Sequence, residues 1–462
     1  MSPALGRGRA FALLSVGLLL GTLVAAGAAT GSAPTAGDER RVGVELPDVE
    51  EDPELPTDDR VARVGGEKYD SVAAALDAAR PGDTVRLDGR FEERVVVETP
   101  NVTLVGDGPD AAVLDGNGSG DVLTVAADGV TVRDLWIRNS GYRTETNDAA
   151  VLVEGDGVTL RDSRITEATF GVWLDGVSDA RVADNTIRGR ERITPLTDRG
   201  NGIQIWKTEG SVIEGNRITD VRDGLYYSWA GEVVARENVV WDVRYGVHYM
   251  YSDDNRLANN TAANNDVGYA LMVSKRLTVV DNVAVDNTGS SGHGILLKSI
   301  DETTVRGNDL VGNENGLFLY NSLHNDVRRN LVLENDVGVH LTAGSVEGRV
   351  SNNTFLRNGE AVWAVVGERV MWNESVGNYW GDATVTDVDD DGVGDGRYEP
   401  AGAVQRLLAD HPSARVFTSS PAFDAVRRAE RTVPLLDAPG VVDERPLTEP
   451  PHDDWRRYYV RN

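Results

Sequence analysis

The stretch Gly246-Val-His-Tyr-Met-Tyr-Ser-Asp-Asp-Asn-Arg-Leu-Ala-Asn-Asn-Thr-Ala-Ala-Asn-Asn-Asp-Val-Gly268-Tyr-Ala-Leu-Met272 contains one full repeat of this 462-residue chain and the start of the next. Each glycine opens a run of alternating residues, and the same opening recurs at Gly202-Ile-Gln-Ile, Gly224-Leu-Tyr-Tyr, Gly294-Ile-Leu-Leu, Gly316-Leu-Phe-Leu and Gly338-Val-His-Leu. From Gly202 to Gly338 the successive glycines lie 22, 22, 22, 26, 22 and 22 residues apart. A second register, Asn185, Asn216, Asn238, Asn260, Asn282, Asn308, Asn330 and Asn353, keeps a spacing centred on the same period. Short period-2 strands separated by turn residues, with no helical period between them, predict an all-β fold. The architecture expected is a right-handed parallel β-helix, a solenoid with about 22 residues per rung. A leucine-rich repeat would need a leucine-dominated motif, whereas valine, isoleucine and asparagine dominate here. Stacked rungs bring equivalent residues to about 4.8 Å, so the recurring asparagines are expected to form a ladder at one corner.

Working outward from the repeat, positions one and three after each glycine, such as Val247/Tyr249 and Ile295/Leu297, are uniformly apolar and mark the inward set. Positions two and four then form an outward column that includes Trp173, Trp206, Tyr226, His248, Met250, Met272, Phe318, Tyr320 and His340. So aromatic a column on a water-facing surface predicts an interaction face, with Trp173, Trp206, Tyr226, Phe318 and Tyr320 as partner-binding candidates. The alternative is that the C-terminal segment or a long loop covers it. Within the column, Met250 and Met272 fall on adjacent rungs beside His248. An imidazole with two thioethers suits Cu(I), because soft sulfur donors select the cuprous ion, so His248, Met250 and Met272 are the candidate copper ligands. A gap-filling role for the methionines is the alternative. His340 lies four rungs away, about 19 Å by the rung spacing, too far for the same ion.

At the N-terminus, Arg7 and Arg9 precede the apolar stretch Phe11–Ala26 and a small-residue run, which is the pattern of an export signal over residues 1–31. Residues 32–60 are acidic and proline-bearing and are expected to be a flexible spacer. Tyr69–Ala79 reads as a short helix that caps the open end of a solenoid spanning residues 61–400. Residues 401–462 are expected to form a C-terminal helical docking segment and tail, with Phe423 and Val426 at helical spacing as further partner contacts. With 46 basic against 74 acidic residues the net charge is −28, and only four lysines occur. Such a balance argues against nucleic-acid binding and matches a protein adapted to concentrated salt. The absence of cysteine excludes disulfides and thiolate metal sites.

A second candidate metal motif, Asp387-Val-Asp-Asp-Asp391-Gly392-Val-Gly-Asp395, places Asp387, Asp389, Asp391 and Asp395 at positions 1, 3, 5 and 9 of a calcium-loop pattern. Position 12 is Tyr398 rather than a bidentate glutamate, so a shorter calcium clip is expected, with a solvated acidic turn as the alternative. The outward column holds no carboxylate pair of the kind that lyases, epimerases and glycosidases on this fold require. Asp220 and Asp223 read as turn residues. No catalytic residues are therefore assigned. A carbohydrate-active β-helix enzyme, a polysaccharide lyase or epimerase, stays as the alternative reading.

The runs Arg244-Tyr-Gly-Val-His-Tyr-Met-Tyr-Ser-Asp-Asp-Asn255, Gly268-Tyr-Ala-Leu-Met-Val-Ser-Lys-Arg-Leu277, Glu314-Asn-Gly-Leu-Phe-Leu-Tyr-Asn-Ser322, Gly377-Asn-Tyr-Trp-Gly-Asp382 and Ser420-Pro-Ala-Phe-Asp-Ala-Val-Arg-Arg-Ala-Glu-Arg431 closely resemble the NosD family of nitrous oxide reductase maturation proteins. The resemblance extends from about Val61 to Pro446. It implies an exported, non-catalytic accessory protein, peripherally associated with the membrane. Its implied partners are an ABC-type transporter permease and ATPase, a copper chaperone and nitrous oxide reductase, whose copper–sulfide centre they assemble together. It also implies copper as a transient cofactor. The acidic spacer and the Trp455-Arg-Arg-Tyr-Tyr459 tail have no counterpart in the resemblance.

Overall fold

The computed structural model describes residues 39–41, 43–48, 52–56, 60–342, 344–345, 347–372, 376–381, 383, 385–401, 440–452 and 454–461. Two units are distinguished. In the smaller, Glu39–Arg41 pairs antiparallel with Tyr459–Arg461. The larger, Gly43–Arg456, is the expected parallel β-solenoid of about 13 turns. Of the segment expected to be a spacer, Asp52 reaches Arg188 at 2.7 Å. The export signal lies outside the described residues.

Each rung contributes a strand to three parallel faces. The third face is a continuous sheet of twelve strands from Val95–Val97 to Glu360–Ala364, and it carries the outward column. Register across the central rungs is in phase: Tyr227 faces Tyr249, which faces Leu271, and Met250 faces Met272. Inward residues such as Leu225, Tyr249, Tyr269, Leu271, Ile295 and Leu297 are buried in one core running along the axis. Burying a side chain of this size is worth about 2 kcal/mol, so each rung is held by its inward set before any polar contact is counted. The glycine that opens each strand is required by close approach. A Cβ on Gly246 would sit 2.6 Å from the carbonyl oxygen of Gly268, and one on Gly268 2.7 Å from that of Gly294.

The asparagine ladder forms as expected and is longer than its sequence register. Side-chain amides run from Asn185 through Asn216, Asn238, Asn260, Asn282, Asn308, Asn330 and Asn353 to Asn378, each Nδ2 donating to the next Oδ1 at 2.8 to 3.0 Å. The ladder ends on Asp443, whose carboxylate accepts from the Asn378 amide and from Trp380 Nε1. A second ladder at another corner, Asn265, Asn287, Asn313, Asn335 and Asn358, was not foreseen. The third corner uses serine, with Ser252 N–H donating to Ser274 Oγ and Ile300 N–H to Ser322 Oγ.

The N-terminal cap is shorter than the spacing predicts. The helix spans Val72–Ala78, because Tyr69 belongs to the strand Glu67–Tyr69. Ser71 Oγ accepts from Ala74 N–H, while the Glu93 carboxylate accepts from the amides of Val72 and Ala73. At the other end, Arg369–Met371 pairs with Gly440–Asp443, which pairs in turn with Tyr398–Ala401. The described parts of the C-terminal segment are the strands Gly440–Asp443 and Tyr459–Arg461 and a 3-10 turn, Asp454–Tyr458, while the residues expected to be helical lie outside the described ones. Phe423 and Val426 lie outside the described residues.

Candidate metal-binding face

The outer side of the third face is built by the strands Asp223–Ser228, Tyr245–Met250, Val267–Lys275, His293–Asp301 and Asn315–Tyr320. Alternation along these strands turns His248, Met250 and Met272 away from the core. The expectation that this column faces water is nevertheless corrected at several positions: His248 is only 8% exposed, Leu296 7% and Ala270 not at all. Neighbours on the same face cover them. The edges of Tyr226 and Tyr245 pack on the imidazole of His248, with ring centroids 4.7 and 5.0 Å away. Val267, Ala270 and Leu296 form an outer apolar cluster against which Tyr245, Met272 and Phe318 pack.

His248 Nδ1 lies 3.0 Å from Asp223 Oδ2. Asp223 is completely buried, and the Arg244 guanidinium grips both its oxygens, Nε to Oδ1 at 2.8 Å and Nη2 to Oδ2 at 2.6 Å. Burial pushes the Asp223 pKa up, but the hydrogen bond and charge of His248 and of Arg244 outweigh it and hold the carboxyl well below the usual range. The carboxylate is therefore an acceptor, so the hydrogen bond is donated from His248 Nδ1–H, and in the neutral form of the imidazole the lone pair lies on Nε2. That Nε2 is buried and has no hydrogen-bond partner. An imidazole fixed by a carboxylate through one nitrogen, with the other unpartnered, is the arrangement in which histidine ligates metal. The donor types present, an oriented imidazole and the half-buried methionines Met250 and Met272 in register on adjacent strands, are of the soft kind that suits a cuprous ion.

Sequence reasoning read Asp223 as a turn residue and gave Arg244 no role. Both act through a neighbouring rung, and the signal available was the recurrence of a charged residue directly before or two before the rung glycine. His293 was also missed, because it precedes Gly294 rather than following it. Its ring stacks on Phe318 at 4.5 Å, and His340 packs edge-on against the same Phe318 at 4.6 Å. Burial, with a smaller push from His340, lowers the His293 pKa to about 3, and burial lowers that of His340 to about 4. Both imidazoles are neutral at physiological pH.

The other candidates are placed as follows. Trp173 packs edge-on with Phe170, Trp206 lies under the Lys207 ammonium, and Tyr320 is 47% exposed. In the acidic loop, carboxylate oxygens of Asp387, Asp389 and Asp391 lie within 4.8 Å of one another. Asp395 does not join them: its Oδ2 accepts from the Val388 amide at 2.8 Å, holding the loop. Hard carboxylate oxygens of this kind suit calcium rather than copper.

Fold and site together define a parallel β-helix protein that carries its polar and sulfur side chains on an outer sheet face. A family model described as "Periplasmic copper-binding protein (NosD)" matches residues 183–385. A Pseudomonas aeruginosa protein named "Probable ABC transporter binding protein NosD" is 36% identical over 380 residues, covering 79% of this chain and 87% of that relative. A Stutzerimonas stutzeri protein of the same name is 33% identical over 381 residues, covering 79% and 86%. The chain belongs to the NosD family. The family is periplasmic, which places this protein outside the cytoplasm. Among the described residues no helix is long and apolar enough to cross a membrane. Among solved structures, the A-module of the Azotobacter vinelandii mannuronan C-5 epimerase AlgE6 is similar, with a TM-score of 0.52 at 18% identity over 64% of this chain and 93% of that one. At that identity the likeness is one of fold alone.

Proposed function

We propose that this protein is an accessory factor in the maturation of nitrous oxide reductase, and that His248, Met250 and Met272 hold Cu(I) as cargo during assembly of the copper–sulfide centre. The observation that supports the site is the buried, unpartnered Nε2 of His248, whose ring is held by the Asp223–Arg244 pair, on the strand that also carries Met250, the register partner of Met272. In this reading the partners are an ABC-type transporter permease and ATPase, a copper chaperone and the reductase itself. The names of the two relatives support the transporter association. Phe318, Tyr320 and the tryptophans Trp173 and Trp206 form the partner-facing stripe around the site. Asp387, Asp389 and Asp391 are assigned to a structural calcium ion, supported by their convergence.

The copper reading is tested by anaerobic Cu(I) competition titration of the exported chain, comparing wild type with His248→Ala, Met250→Ala and Met272→Ala. One-to-one binding weakened at least tenfold by each substitution is expected. Failure to compete with the chelator would remove copper from this face.

A further inference from the structure

The left-handed backbone of one corner is occupied by unusual residues. At two corners of the solenoid the residues with positive φ are mostly Asp, Asn, Glu, Gly and Arg, as at Asp184, Glu237, Asn259, Asp281, Asp220, Asp242 and Asn264. At the third corner, where the strands of the third face end, the column reads Lys207, Trp229, Tyr251, Val273, Ser299 and Asn321, all with φ between 48° and 57°. Bulky aromatic and β-branched side chains are disfavoured there. Trp229 and Tyr251 are nonetheless 60% and 45% exposed, stacked on each other with ring centroids 4.8 Å apart and planes 14° from parallel. Burial does not explain them.

These rings form one wall of an open groove of about 630 Å³. Glu209, Glu232, Asp253, Asp254 and Asp301 also line it, against Lys207 and Lys275. Those two cations are already engaged, Lys207 over Trp206 and Lys275 beside Asp253. Glu209 and Glu232 are exposed and carry no ion pair among the described residues. Gly231 also lines the groove, and an added Cβ there would meet only the Asp253 carbonyl oxygen at 3.6 Å, so a larger side chain at this position has room to extend into the groove.

We propose that this groove binds an arginine side chain presented by a partner protein. Arg276 grips Asp254 and also reaches Asp253, so the carboxylates left to attract a cation are led by Glu209 and Glu232. A planar guanidinium stacks on an aromatic face and is held bidentately by carboxylate, which matches the Trp229–Tyr251 wall and these two glutamates. The occupant is a protein segment, because the groove is open and lies against the candidate cargo site. Tyr251 directly follows Met250, and Val273 directly follows Met272. A partner exchanging anything with those methionines from this edge meets the groove.

The experiment is calorimetric titration of the full exported chain with tri-arginine, without copper, so that its outcome is independent of the metal reading. We expect one-to-one binding, weakened at least fivefold by Trp229→Ala and by Gly231→Leu, which extends a side chain into the groove. Glu232→Gln should weaken it at least threefold, tri-lysine should bind more weakly than tri-arginine, and Glu98→Gln on a distant rung should change nothing. Equal affinity in Trp229→Ala, Gly231→Leu and wild type would overturn the proposal, showing attraction to net charge alone. Binding of maltotriose in place of the peptide would also overturn it, making the rings a sugar platform.

Discussion

His248 is fixed by residues that come from two rungs, and the arrangement depends on charge more than on packing. Removing Asp223 leaves a half-buried guanidinium and an imidazole N–H without an acceptor, a loss that costs up to about 3–5 kcal/mol where both partners are buried and less where one is partly exposed. Asp223→Ala is therefore expected to lower the melting temperature strongly, whereas Asp223→Asn, which keeps an acceptor, should fold and show Cu(I) affinity reduced about 10- to 100-fold. A copper affinity in the Asn variant equal to wild type would remove the positioning role. His293 gives a second test at this scale. Its pKa is about 3 in the folded protein against an ordinary 6.5, so between these values the unfolded chain binds a proton that the folded chain refuses. Its contribution is complete above pH 6.5 and is lost as pH falls toward 3, by up to about 1.4 kcal/mol per pH unit. His340 acts in the same direction down to about 4. Urea midpoints measured from pH 7 to 4.5 should fall less steeply in His293→Gln than in wild type, and parallel curves would contradict the assignment.

At the scale of the strand and its corner, each rung is tied to the next by an amide that serves both backbone and side chain. Asn260 Oδ1 accepts from the backbone and side chain of Asn238, and its own Nδ2 donates to Ala235 O and Asn282 Oδ1. Asn260→Ala leaves several buried groups short of partners at about 1–3 kcal/mol each, so a loss of at least about 3 kcal/mol is expected in chemical denaturation. The exposed Arg217, on the strand Arg217–Thr219 and outside the ladder, should tolerate alanine with little change. The first ladder was legible because its asparagines recur at the rung period. The second was hidden by neighbouring asparagines such as Asn264 beside Asn265, which blur the register when only spacing is read.

At the scale of the whole molecule, the chain carries a net charge of −28. Repulsion between exposed carboxylates acts over about 10 Å at 0.1 M salt and about 3 Å at 1 M. The melting temperature of the exported chain is expected to rise by several degrees between 0.1 and 2 M KCl. A melting curve indifferent to salt would mean that the acidic surface does not limit stability. The same field attracts basic partner surfaces and makes their docking salt-sensitive.

The amino-acid sequence by itself determined the period, the inward set, the capped N-terminal end, the family and the adjacency of Met250 to Met272. These follow from a 22-residue repeat whose register propagates without long-range choices, because each rung packs only on its neighbours. The tertiary structure alone decided that Asp223 and Arg244 orient His248, that His293 and His340 share Phe318, and that Trp229 and Tyr251 wall a groove. Those relations run between rungs and around corners, where strand alternation stops applying. At a corner the direction of a side chain is set by local φ and by the rung above it, and neither can be counted along the chain.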